Sequence, residues 1–136
     1  MNSLRGTRRR LFVTGLAVAG ALVLATGTAH ATTTNVSGDV AGNYYTYYGT
    51  SRTITSSGSN IYLTLTDSAV AVKVFWYKCD DKNVHGQPVD IGDGRRKLIG
   101  SNFLSGTRFC IAAAGDVVGG APKVPWKGKL EWNVYS

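Results

Sequence analysis

The residues able to do chemistry are few, and most of them are tyrosines. Between positions 43 and 48 the chain reads Asn43-Tyr44-Tyr45-Thr46-Tyr47-Tyr48. On an extended strand Tyr44 and Tyr48 face one side and Tyr45 and Tyr47 the other, with same-face neighbours about 6.8 Å apart from the strand rise. Flat amphipathic rings at that spacing can stack on the apolar faces of sugar rings while their hydroxyls bond outward. Phe75, Tyr77, Trp126 and Trp132 could extend such a platform. Trp126 follows Pro125 and is flanked by Lys123 and Lys127 in a Gly/Pro-rich stretch, where an exposed loop or a lid is as good a reading as burial. The candidate ligand-binding residues are therefore Tyr44, Tyr45, Tyr47, Tyr48 and Trp126. The competing account is packing, because aromatic residues are good strand formers and a small sandwich needs large side chains. Trp132, between Leu130 and Val134, reads as a core position.

A catalytic constellation is not visible. Beyond position 31 the chain has a single histidine, His85, and a single glutamate, Glu131. It has no Gly-x-Ser-x-Gly elbow, no His-Glu-x-x-His and no phosphate-cradling glycine loop. His85 stands beside Gly86 in a polar stretch and reads as a solvated side chain. Asp80-Asp81 and Asp90-Ile91-Gly92-Asp93-Gly94 concentrate carboxylates. Calcium or a glycosidase pair would need further ligands that the local sequence does not supply. Asp-Gly steps are also what tight turns require. The adjoining Arg95-Arg96-Lys97 fits a self-compensating solvated loop. No enzyme activity, cofactor or metal is expected.

The amino terminus has the layout of an export signal. Arg5 and Arg8-Arg9-Arg10 form a positive region, residues 11–25 an apolar one, and Ala29-His30-Ala31 a small-residue cleavage site. The apolar stretch is short for a membrane span. Arg9-Arg10-Leu11-Phe12-Val13 resembles the twin-arginine export motif, which leaves two export routes open and points to a bacterial secreted protein. Residues 1–31 are thus expected to be removed, with 32–136 as a single extracellular domain and no membrane contact afterwards. Four of the 15 Lys and Arg residues lie in the leader, so the remainder carries 11 basic against 8 acidic residues, a net +3. No long basic stripe remains to neutralise phosphates, which argues against nucleic acid as a partner.

The elements that must position these residues follow from a two-residue rhythm. Ile61, Leu63 and Leu65 alternate with Tyr62, Thr64 and Thr66, and Leu130, Trp132 and Val134 with Lys129, Glu131 and Asn133. Residues 69–79 are apolar on both faces and predict a central strand. Weaker strand signals lie at 43–48, 52–55, 97–102 and 107–113, and turn formers fill 56–60, 66–68, 80–94 and 115–125. These spacings predict an all-β fold, a small antiparallel sandwich or Greek-key barrel of about seven strands. Two cysteines in an exported chain predict one disulfide, Cys79 to Cys110.

The function expected from these features is a secreted, monomeric, non-catalytic binding module. Its tyrosine-rich face would contact an extracellular glycan or cell-wall polymer. A second expectation is an inhibitor of a secreted hydrolase that uses residues 80–106, read as a loop pinned at its feet by the disulfide and so pre-organised for a cleft. A small antimicrobial protein is a further alternative, and a minimal hydrolase is another that would need His85 to matter.

Overall fold

The computed structural model describes residues 30–42, 44–116 and 122–135. The expected leader lies outside them except for its last two residues, as do residues 117–121 of the turn region expected between 115 and 125. Nine strands are present among the described residues: β1 (Thr32–Val40), β2 (Thr46–Thr53), β3 (Ser59–Ser68), β4 (Val72–Lys78), β5 (Asp81–His85), β6 (Val89–Ile91), β7 (Arg96–Phe103), β8 (Arg108–Gly115) and β9 (Val124–Val134). They form two antiparallel sheets packed as a sandwich. The first has the order β1-β9-β3-β7, and the second β2-β8-β4-β5 with β6 also paired to β4.

The all-β sandwich and the disulfide agree with the sequence. The strand count differs, because two expected segments, 43–48 and 52–55, belong to the one strand β2. Three further strands, β1, β5 and β6, carry too few apolar residues to show a rhythm. β5 is exposed along its whole length. The central-strand reading of 69–79 holds for Val72–Lys78, which runs between β8 on one side and β5 and β6 on the other.

The main core lies between the sheets. Ile61, Leu63 and Leu65 of β3, Val72 and Val74 of β4, Phe109 and Ile111 of β8 and Leu130 of β9 all point into it. A second, smaller cluster of Phe75, Tyr77, Cys110 and Ala112 lies apart from it, with Tyr45 and Cys79 packed alongside. The period-two side-chain rule explains the division, since the odd and even residues of β4 and β8 reach opposite faces of one sheet. Cys79 and Cys110 are joined, with Cα atoms 5.1 Å apart, and tie the end of β4 to β8 beside the pair Tyr77 and Cys110.

The end of β9 departs from simple alternation. Asn133, expected to face outward, is buried and takes a left-handed φ of 57°. Both ends of its amide are bonded: Oδ1 accepts from the Thr55 amide at 2.9 Å, and Nδ2 donates to Thr32 Oγ1 at 3.2 Å. Asparagine tolerates that backbone region better than other non-glycine residues.

Candidate functional site

The outer face of the second sheet is where the tyrosine run comes to the surface. At its middle, β8 presents small side chains, and Ala112 stands between Tyr47 of β2 and Phe75 of β4. A methyl group at that position leaves room for rings from both neighbouring strands to close over it, and Ala112 is fully buried. Phe75 and Tyr77 form the lower layer, each only 3% exposed. Tyr45 and Tyr47 lean on them edge to face, Tyr45 against Phe75 at 4.8 Å and Tyr47 against Tyr77 at 5.1 Å between centroids. His85, from β5, closes the other side of Phe75 at 5.0 Å.

This packing changes the geometry expected from the sequence. Rings inclined by 69° to 78° form a corrugated surface of ring edges and hydroxyls rather than a flat shelf. Edge-to-face contact is the arrangement that ring quadrupoles favour. Tyr44 and Tyr47 remain the exposed members, at 55% and 40%. The Lys82 ammonium lies 4.5 Å from the Tyr47 ring centre, an exposed cation–π contact. Tyr77 donates its hydroxyl to the Tyr48 carbonyl at 3.1 Å, linking β4 to β2 across β8. Burial, with the neighbouring Tyr47 phenol a lesser cause, raises the Tyr77 pKa.

At one end of this face a shallow cavity of about 280 Å³ is lined by Tyr44, Tyr45, Lys73, Asp90 and Asp116, among others. Lys73 and Asp90 approach to 3.8 Å with both side chains largely in water, a pairing worth little stability. The cavity thus sets two rings beside an ammonium and two carboxylates, groups that can bond to hydroxyls.

The five predicted residues separate into two sets. Tyr44, Tyr45 and Tyr47 share the outer face. Tyr48 turns the other way and meets Trp126, donating its hydroxyl to the Asp39 carbonyl at 2.9 Å and accepting from the Trp126 indole at 3.0 Å. Trp126, whose sequence setting leaves a loop or lid and burial both open, lies within β9 and is 1% exposed, so it belongs to the core and not to a ligand-facing surface. The reason is local: β3 reaches along β9 only as far as the pair Ser68 and Trp126, so Pro125 falls where β9 is bonded to β1 alone. Proline is tolerated at such a strand start. Trp132 packs edge to face on Phe109 and donates to the Thr53 carbonyl at 3.2 Å, away from the tyrosine face.

The other sequence candidates also find places. Residues 80–106, expected as a long pinned loop, are built into both sheets as β5, β6 and β7. Asp81 caps its own turn by accepting from the Asn83 amide at 3.0 Å, and Asp93 accepts from the Ser68 amide at 3.2 Å. Arg96 stacks on Tyr62 at 3.7 Å and pairs with Glu131 at 3.2 Å, all three within the first sheet and away from the tyrosine face. Among the described residues no three His, Cys, Asp or Glu side chains are grouped to hold a metal ion. Sequence reasoning missed Lys82 as part of the tyrosine face, because β5 carries no rhythm to place it. Compared with known proteins, the chain matches no family model, and no curated protein resembles it significantly.

Proposed function

We propose that this is an exported, non-catalytic binding domain that contacts an extracellular or cell-wall carbohydrate through the outer face of the second sheet. The observation that carries the reading is the grouping of Tyr44, Tyr45 and Tyr47 on one face, next to a cavity holding Lys73, Asp90 and Asp116. Sugars offer apolar C–H faces and polar rims, and exposed rings beside charged acceptors and donors complement both. On this reading Tyr48 and Trp126 position the strands and do not touch ligand.

The test is retention on insoluble cellulose, chitin and purified cell wall. Tyr44 and Tyr47 are the rings to remove, since Tyr45 leaning on Phe75 is more deeply involved in packing. The double change Tyr44→Ala and Tyr47→Ala should weaken retention at least about tenfold, the value of one to two aromatic contacts, with a melting temperature close to that of the parent. An intact domain that passes through all three matrices, or a double variant that binds as well as its parent, would overturn the reading. Export is tested separately: protein recovered from culture medium should begin at Thr32.

A further inference from the structure

Beyond the tyrosine face, the side of the sandwich where β1 and β2 form the edges of the two sheets has features of a second site. Among the described residues β1 is bonded only to β9 and β2 only to β8, so within that set each leaves a row of backbone amides and carbonyls without a strand partner. The two edges touch where the Tyr48 hydroxyl meets the Asp39 carbonyl, with the phenol ring seated against Gly38. Beside that contact lies a groove of about 270 Å³, walled by residues 34–37 of β1 and by Tyr48, Thr50 and Arg52 of β2. Its floor is apolar, made by the buried Ile111 and Trp126.

The edges differ in how they are defended. β7 carries Arg96 and Lys97 and β5 carries Asp81 and Lys82, charges of the kind that discourage strand addition. β2 is interrupted by a register shift between Tyr48 and Arg52. β1 has neither device over 32–38: it is uncharged there, and its pairing with β9 runs unbroken through nine residue pairs. Across the groove from this open edge stands Arg52, half-buried, with its Nη1 donating to the Thr50 carbonyl at 3.0 Å. It takes part in none of the ion pairs formed among the described residues. Burial of the guanidinium also lowers its pKa. A partly desolvated guanidinium facing an apolar trough favours a carboxylate, which it can hold with two hydrogen bonds.

We propose that this groove binds an extended peptide segment of a partner protein, added as a strand to the free edge of β1 and fixed by an Asp or Glu side chain on Arg52. Backbone pairing supplies the affinity and alternate side chains the selectivity, as in other strand-addition complexes. Apolar side chains of the segment would enter the trough while its carboxylate meets Arg52. A second copy of this chain is a poorer occupant, since the single carboxylate of its β1, Asp39, stands at the penultimate position, beyond the stretch 34–37 that walls the groove.

The probe is a synthetic octapeptide of alternating valine and threonine with one central glutamate, beside the same peptide with glutamine. Added at up to millimolar concentration, the glutamate peptide should slow hydrogen exchange of the β1 amides, and the glutamine peptide should bind about tenfold less tightly. Arg52→Gln should reduce the first affinity to the level of the second and leave the second unchanged, with an unaltered melting temperature showing that the fold persists. A glutamate peptide methylated on alternate backbone nitrogens should not bind. Absence of β1 protection, equal affinities for the two peptides, or self-association of the free protein through β1 would each overturn the proposal. Tyr44→Ala with Tyr47→Ala should leave peptide binding intact, so the carbohydrate reading and this one fail independently.

Discussion

The Tyr48 phenol donates to one group and accepts from another, and both partners belong to the first sheet: the Asp39 carbonyl in β1 and the Trp126 indole in β9. Tyr48→Phe would keep the ring and strand the indole N–H in a nearly dry site, a loss of about 1 to 3 kcal/mol measurable by urea unfolding. The same residue makes a prediction about alkali. Burial raises the Tyr48 pKa above its ordinary 10.0, helped by the Asp39 charge and opposed by the bond from Trp126, and Tyr77 is raised as well. In the folded protein these phenols hold their protons more tightly than in the unfolded chain. Stability from this source is therefore complete below the ordinary phenol pKa and declines as pH rises from about 10 through the raised values. Thermal melts taken through that range should show a falling midpoint, with a shallower fall in Tyr48→Phe.

Among the elements, β9 shows what can and cannot be read from the chain. The stretch through Leu130 was legible because Lys129 and Glu131 alternate with it. The start was not, since Pro125 and the glycines before it imitate a loop, and only the short reach of β3 explains how a proline can sit there. β1 was invisible for a different reason: Val36 is the single apolar residue among the first seven, and an edge strand with little to bury leaves no periodic trace. The tyrosine run was recognisable as aromatic on both faces, yet Tyr44 does not share a side with Tyr48 as a continuous strand would require, because β2 begins only at Thr46, and nothing local says that Tyr45 and Tyr47 lie over the alanines of β8 while Tyr48 alone meets a tryptophan 78 residues away. Close packing also decides element geometry at Gly100 of β7. A methyl group there would stand 2.6 Å from the Phe103 ring and 2.7 Å from Trp76, in a place where those two rings already meet edge to face. Gly100→Ala should destabilise the domain by about 1 to 3 kcal/mol through overpacking, read from the denaturant midpoint at unchanged slope.

At the level of the whole molecule, the chain passes from one sheet to the other at nearly every connection, and only β4, β5 and β6 follow one another within a sheet. Most pairings are therefore distant in sequence, a topology that folds slowly because loops must close before contacts form. The disulfide shortens one such search by fixing β4 to β8. Reduction should cost about 2 to 5 kcal/mol, seen as a lower melting temperature in reductant. It also governs how a cut would look. Leu104, 70% exposed at the tip between β7 and β8, is the expected site of limited proteolysis by an enzyme that cleaves after large apolar residues. The product should migrate as one species until it is reduced, because Cys79 and Cys110 lie on opposite sides of the cut. Finally, the first strand lies beside the last, with Thr32 directly opposite Trp132. A short engineered tether between those positions would turn the domain into a covalent ring that could be reopened near Leu104. Because both attachment points belong to the sheet that bears no tyrosine cluster, fusions made there would display that cluster unobstructed.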